Sequence, residues 1–199
     1  MKRIALVGEI GSGKTYAAKN FGFPVFNADI AVSNIYKKNK KIFYVLKKQL
    51  PTFIKSQPIN KKEIFRAVLK NKNNLRKITK VIHPLVRKKM NEFLRKNNKK
   101  KAVVLDIPLY FENKIYKKND SVIYIYAKKN EILKKLKKRK GFNLKIYREL
   151  KRIQLSNEKK KKRSNYSIKN NFKKETFKKN ISIIKRKIFS KNERNNIRY

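Results

Sequence analysis

The sequence predicts an α/β fold built on a parallel sheet, and three observations predict it. Short apolar runs alternate with stretches whose apolar residues recur at helical spacing. A G-x-x-x-x-G-K-[ST] loop, Gly8 to Thr15 (GEIGSGKT), stands between the first apolar run and the first helical stretch. Two of the three aspartates in the chain, Asp29 and Asp106, fall at expected carboxyl ends of strands, the edge where open parallel sheets place their ligands.

The first strand is expected over Lys2–Val7 (KRIALV), running straight into the loop. Only five glycines occur in the chain, and Gly8, Gly11 and Gly13 all lie in this loop. In such a strand–loop–helix context the loop N–H groups point inward as an anion nest, and the helix that follows (Thr15–Phe21) adds the positive end of its dipole. Lys14 would reach the β- and γ-phosphates of a nucleotide, and the Thr15 hydroxyl would ligate Mg²⁺. A second strand covers Pro24–Asn27 and ends at Asp29. Residues 30–98 read as a long, mostly helical run, with Ile42, Val45, Leu46 and Leu50 at helical spacing and helices at Lys61–Leu69 and Pro84–Leu94. Strands follow at Ala102–Ile107 (AVVLDI) and Ser121–Tyr126 (SVIYIY). A basic helix spans Asn130–Arg139, and another spans Leu144–Leu155 and leads into the lysine run 159–162, read as a solvated face. Tyr166–Ile168 is a short last strand, Phe172–Phe189 a terminal helix, and 190–199 a frayed polar tail.

At 199 residues the chain is expected to be one domain, with room for a small insertion. Its 58 Lys+Arg against 12 Asp+Glu give a formal charge of +46. A nucleic-acid or membrane-surface partner is one reading of that charge. A bias toward Lys, Asn, Ile, Phe and Tyr along the whole chain is the favoured one, because the basic residues are not confined to one tail or face. The absence of cysteine excludes disulfides and Cys-ligated zinc. The N-terminal apolar run leads into the loop rather than to a cleavage site, so no signal peptide is expected. No run approaches the ~20 apolar residues of a membrane span. A cytoplasmic protein, a monomer or weak homo-oligomer, is the expectation.

The chemistry these residues suit is phosphoryl transfer, which needs phosphate clamps, a metal and a group that orients the nucleophile. Asp29 suits a general base that accepts the proton of an acceptor hydroxyl, or a cap of the helix after it. Asp106 suits a Mg²⁺ ligand acting through water, or a strand-end residue bonding a nearby turn. Arg139, with Gly141 after it as hinge or C-cap, and Arg148 and Arg152 could bring positive charge on a mobile lid, though a plain surface role is the favoured reading for Arg148 and Arg152 taken singly. His83, the only histidine, precedes Pro84 at an expected helix start, as a capping or packing residue or an acceptor contact.

Together these motifs resemble the dephospho-CoA kinase family from residue 1 to about 171. The loop GEIGSGKT is similar to the family's G-G-I-G-S-G-K-[ST], and Asn27-Ala28-Asp29 to its D-A-D. His83-Pro84-Leu85 resembles its H-P-[LI], and Ile107-Pro108-Leu109-Tyr110-Phe111-Glu112 its [VI]-P-L-L-[FV]-E. Arg139 and Gln154 follow its R-x(14)-Q spacing, and Ser164-Asn165 to Asn170 its A-D-x-x-I-x-N. The resemblance implies a three-layer P-loop NTPase fold with a five-stranded parallel sheet, a helical substrate-binding insertion over about 30–98 and a helical lid over about 139–163. It implies ATP-dependent phosphorylation of the ribose 3′-hydroxyl of dephospho-CoA, with ATP and Mg²⁺ as cofactors and no obligate nucleic acid. By the same resemblance Asp29, Lys14 and Arg139 are catalytic, and Gly11, Ser12, Gly13, Lys14, Thr15, Tyr16 and Asn170 bind the nucleotide, Asn170 near the adenine. His83, Pro108, Leu109 and Glu112 face the acceptor, and Thr15 and Asp106 hold the metal. Glu9, Asn27 and Asn165 depart from the family pattern, but Lys14, Thr15 and Asp29 remain, so an active enzyme is expected. The alternatives are another small-molecule kinase of the nucleoside or nucleotide type and a basic nucleic-acid-binding NTPase.

Overall fold

The computed structural model describes residues 1–195, with side chains as far as Ser190. Five strands form one sheet in the order β2-β3-β1-β4-β5: β1 Lys2–Gly8, β2 Val25–Asn27, β3 Ala102–Asp106, β4 Ser121–Tyr126 and β5 Tyr166–Lys169. The sheet is parallel, as the alternation of strands and helices predicts. Lys2 pairs with Ala102 and Leu6 with Asp106, while Gly8 pairs with Ile125 on the other side of β1. The central strands are apolar on both faces, with Ile4 to Val7, Ala102 to Leu105 and Val122 to Ile125 all buried. Such unbroken apolar runs mark strands covered on both sides.

The chain divides into two compact units. The first comprises residues 1–26, 97–142 and those from Lys151 on. Helices α1 (Lys14–Asn20) and α9 (Lys174–Asn195) pack together, setting Ala17, Ala18, Phe21, Phe177, Ile181 and Ile188 in one core with Ile4, Leu6, Val104, Ile123 and Ile125. Each such Ile, Leu or Phe contributes about 1.5–3 kcal/mol on burial. Helix α6 (Lys129–Lys137) buries Ile132 and Leu136, and α8 (Asn157–Lys162) packs on β1.

The second unit comprises residues 27–96 and 143–150. It is helical: α2 Ala28–Lys38, α3 Lys40–Gln49, α4 Lys61–Lys70, α5 Lys72–Lys96 and the first residues of α7 (Leu144–Arg152). Helices α2, α3 and α4 each pack on α5, around Ile35, Phe43, Leu46, Ile54, Ile64, Ala67, Ile78 and Ile82. The asparagine-rich composition finds a use here, since Asn27, Asn39 and Asn60 cap α2, α3 and α4 by accepting from the N–H of Ile30, Ile42 and Lys62. Asparagine accepts at this position with little strain, which is why it ranks among the best N-caps.

Several boundaries differ from the sequence expectation. Strand β2 stops at Asn27, and Asp29 lies in the first turn of α2 rather than at a strand end. The cap is Asn27, not Asp29. Helix α5 does not begin at Pro84; it starts at Lys72 and carries Pro84 inside it. His83 is therefore a mid-helix residue. A proline there removes one backbone hydrogen bond, but Ile78, Ile82 and Met90 keep one buried stripe at i, i+4 spacing across it, and tertiary packing overrides the local break. Helix α6 ends at Lys137, which leaves Arg139 in the turn beyond it. The helix expected over Leu144–Leu155 ends at Arg152, and a separate α8 starts where Ser156 accepts from the Lys159 N–H. The lysine run sits on α8, yet Lys160 within it is 1% exposed, so that one residue is not part of a solvated face. Helix α9 continues to Asn195, so residues 190–195 of the expected tail are helical, while 196–199 lie outside the described residues.

A buried polar knot fixes the chain between β3 and β4. Arg3 Nε lies 3.0 Å from Asp120 Oδ1, and the Arg3 guanidinium also donates to the Tyr110 hydroxyl and the Ile115 carbonyl, both at 3.2 Å. Asp120 accepts in turn from the Lys117 N–H at 2.6 Å and from the Tyr110 hydroxyl. Burial and then the neighbouring Asp120 carboxylate push the Tyr110 hydroxyl pKa up. Removing one partner of such a pair strands the other charge, so Asp120→Asn is expected to cost about 3–5 kcal/mol in a urea melt. The double variant Arg3→Met/Asp120→Leu is expected to lose less than the sum of its single changes.

Candidate active site

The loop after β1 is built from backbone that tolerates no side chain at two points. Gly8 has φ +148°, and a Cβ there would meet the Ile125 carbonyl oxygen at 2.1 Å. Gly13 has φ +101°, and its Cβ would meet Asn170 Nδ2 at 2.3 Å. Between them the Ser12 N–H donates to the Glu9 carbonyl at 3.1 Å. The Ser12 hydroxyl is buried without a hydrogen-bond partner. A buried hydroxyl left without a partner just before α1 is what an anionic phosphate oxygen would satisfy.

Lys14 is 7% exposed and donates through Nζ to the carbonyls of Gly8 (3.1 Å) and Glu9 (2.9 Å). It is held over the loop by acceptors that phosphate oxygens can replace. Thr15 Oγ1 donates to Asp106 Oδ2 at 2.6 Å. Asp106 stands at the end of β3 in register with Leu6, and is 3% exposed. Thus the two expected metal-binding residues meet directly beside the loop. Two oxygen donors from protein suit Mg²⁺, which keeps several of its own waters. Among the described residues no group of three or more His, Cys, Asp or Glu side chains could hold a metal.

The other nucleotide-side residues take supporting places. The Tyr16 ring stacks on Phe177 at 5.8 Å, so its side chain packs against the core. Asn170, 3% exposed, donates to the Ser12 carbonyl at 2.9 Å and accepts from the Phe172 N–H at 2.8 Å. Its amide backs the loop from behind. Gly11 faces Leu136 and Ile132 of α6. Arg139 is exposed in the turn after α6, where its N–H bonds to the Leu136 carbonyl.

Pro108 and Leu109 are half-buried in the turn after β3. Glu112 is engaged by the far segment of the chain: it accepts from the Leu155 N–H at 2.7 Å and lies 3.8 Å from Lys160 Nζ. Lys160 donates to Gln154 Oε1 at 2.8 Å, and burial pushes its ammonium pKa down against the opposing pull of Glu112. Glu9 pairs with Lys151 at 2.7 Å and accepts from Asn157 at 3.1 Å. The contacts of Lys151, Asn157 and Lys160 were not foreseen from sequence; the signal for them was the scarcity of acids, two of which (Glu9 and Glu112) serve this one segment.

Asp29 and His83 belong to the second unit. Asp29 is exposed in the first turn of α2, where the helix dipole favours negative charge. His83 is half-buried on α5, and its pKa is pushed down first by burial and then by Arg87 one turn on.

The family model for dephospho-CoA kinase matches residues 2–175. The chain belongs to the dephospho-CoA kinase family. A dephospho-CoA kinase of Bartonella quintana is 34% identical over 173 residues, 84% of this chain and 88% of that one. A crystal structure from Thermus thermophilus superposes with a TM-score of 0.71 at 26% identity, covering 85% of this chain and 88% of the other. The dephospho-CoA kinase of Campylobacter jejuni shares the fold, with a TM-score of 0.63 at 23% identity over 94% of this chain and 97% of that one. Family membership fits a P-loop kinase sheet whose loop, Lys14 and Thr15–Asp106 pair are assembled as described. Neither the nucleoside-type kinase nor the nucleic-acid-binding NTPase considered from sequence is the family that matches.

Two expectations follow. Gly13→Ala should destabilise the protein by about 1–3 kcal/mol through backbone strain and its clash with Asn170, and should abolish ATP binding measured by calorimetry. His83, as the sole histidine, should titrate by NMR with a midpoint below the ordinary 6.5. The unfolded chain then holds the proton to higher pH than the folded one, so its contribution to stability is complete above about pH 6.5 and is lost as pH falls through the folded midpoint.

Proposed function

We propose that this chain transfers the γ-phosphoryl group of ATP to the ribose 3′-hydroxyl of dephospho-CoA, giving CoA and ADP. The observation that carries the phosphoryl-transfer chemistry is the 2.6 Å contact of Thr15 with Asp106 at the end of a phosphate loop whose lysine is already aimed across it. The choice of acceptor rests on family membership over residues 2–175.

In this reading the loop N–H groups of residues 11–16 receive the phosphates, and the Ser12 hydroxyl gains the partner it lacks. Lys14 exchanges the Gly8 and Glu9 carbonyls for β- and γ-phosphate oxygens. Mg²⁺, held by Thr15 and by Asp106 through water, would neutralise phosphate charge when bound. Asp29, two residues beyond β2, accepts the proton of the 3′-hydroxyl as the new O–P bond forms and the bond from Pγ to the bridging oxygen breaks, with ADP as leaving group. Arg139 approaches the phosphates from the turn after α6, with Gly141 (φ +77°) two residues on. His83, within a substrate-binding insertion over about 30–98, contacts the acceptor, as do Pro108, Leu109 and Glu112 beyond β3. Asn170 acts by bracing the loop. The enzyme works as a monomer or weak homo-oligomer in the cytoplasm and needs no nucleic acid. Among the described residues no helix is long and apolar enough to cross a membrane.

The test is ADP release coupled to an indicator reaction, with ATP, Mg²⁺ and dephospho-CoA. Turnover that depends on dephospho-CoA is expected; release no higher than without it would sink the assignment. Asp29→Asn is expected to lower kcat by a factor of about 10² or more, as loss of a general base does.

A further inference from the structure

Glu9 lies inside the phosphate loop, yet its side chain is largely buried and reaches residues 151–157. Its two carboxylate oxygens have separate partners. Oε1 lies 2.7 Å from Lys151 Nζ, and Oε2 accepts from Asn157 Nδ2 at 3.1 Å. Its backbone carbonyl meanwhile accepts from Lys14 Nζ at 2.9 Å and from the Ser12 N–H at 3.1 Å. One residue therefore joins the phosphate-clamping lysine to residues 151–157. The rest of that segment is held by a second acid: Glu112 takes the Leu155 N–H and stands 3.8 Å from the buried Lys160, which also bonds Gln154. In a chain with 12 acids against 58 basic residues, two carboxylates are committed to a stretch of about a dozen residues.

We propose that Glu9 is a positioning residue for nucleotide binding: it ties the segment 151–162 to the phosphate loop, so that loop and segment meet the triphosphate as one preformed surface. The inference rests on the reading of the loop as the ATP site. When phosphate oxygens draw Lys14 off the Gly8 and Glu9 carbonyls, the side-chain contacts of Glu9 are untouched and the segment stays in place. Ordering it in advance removes an entropic cost from ligand binding. A carboxylate in a phosphate loop also repels a triphosphate, and the two roles predict opposite signs when the charge is removed. That opposition makes the proposal decidable.

The variants are Glu9→Gln, which keeps the shape, Lys151→Met and Asn157→Ala. ATP affinity and steady-state kinetics are measured together with amide hydrogen exchange across residues 151–162. If Glu9 positions the segment, Glu9→Gln weakens ATP binding and raises KM for ATP by about tenfold, the loss expected for one charge-assisted contact. Exchange in 151–162 accelerates by a similar factor while kcat changes much less. Lys151→Met shifts KM in the same direction, and the Glu9→Gln/Lys151→Met double variant shifts it no further than the larger single change. ATP binding that is unchanged or tighter in Glu9→Gln overturns the proposal, because the carboxylate then only repels. Faster exchange without weaker ATP binding makes Glu9 merely structural and overturns it as well. If Glu9→Gln does not fold, Asn157→Ala, altered at an exposed position, carries the same two readouts. Wild-type protein that binds ATP but does not phosphorylate dephospho-CoA overturns the proposed reaction and leaves this test intact, since it reads ATP and exchange; wild-type protein that binds no ATP overturns both.

Discussion

The first unit depends on a loop whose backbone, at two glycines, runs too close to its neighbours to carry a side chain. At Gly8 the neighbour is the carbonyl of Ile125 on β4, and at Gly13 it is the amide of Asn170 just beyond β5. Those contacts require β4 and the end of β5 to lie on the same side of β1, which is the side the strand order gives them. On the other side of β1, β3 delivers Asp106 to Thr15. The walls of the loop are thus parts of the sheet itself, and the anion nest inherits the rigidity of a core buried on both faces.

The acids of this chain show where its folding and chemistry are under most demand. In a molecule of charge +46, any carboxylate will find a cation, so a contact alone says little. Burial says more. Asp106, Asp120, Glu9 and Glu63 are all buried, and each bonds a specific group: a threonine hydroxyl, an arginine with a tyrosine, a lysine with an asparagine, and the Ser56 N–H. The lysines are mostly exposed. Lys14 and Lys160 are the buried ones among the described residues; the first bonds the Gly8 and Glu9 carbonyls, and the second stands 3.8 Å from Glu112.

The sheet was legible in the sequence because its strands are short apolar runs with polar flanks; Ser121–Tyr126 is found where its apolar run predicts it. The loop was legible because glycine is so scarce elsewhere. The helical boundaries were harder. Pro84 reads as a start signal, yet lies within α5 because the stripe from Ile78 to Met90 needs a continuous helix to stay buried. The helix expected to run from Leu144 to Leu155 ends at Arg152, and the separate α8 was not read because a capping serine such as Ser156 cannot be told from a loop serine by pattern alone. In the site, Thr15 and Asp106 could be named from local motifs. Glu9–Lys151 and Glu112–Leu155 could not, since their partners lie 142 and 43 residues away and no periodicity encodes a contact of that kind.

The register of β1 bears on how the chain assembles during synthesis. Lys2 pairs with Ala102 and Ile4 with Ser121, so the first strand leaves the ribosome about a hundred residues before either neighbour exists. Residues 27–96, emerging in the interval, pack mainly on helices close to them in sequence, and low contact order favours their early formation. The N-terminal strand and its glycine loop must meanwhile remain unpaired, as an apolar run with open edges on both sides. The basic residues at its start, Lys2 and Arg3, suit gatekeepers that discourage pairing with another nascent chain. The strand that carries the phosphate loop is thus made well before the strands that hold it in place.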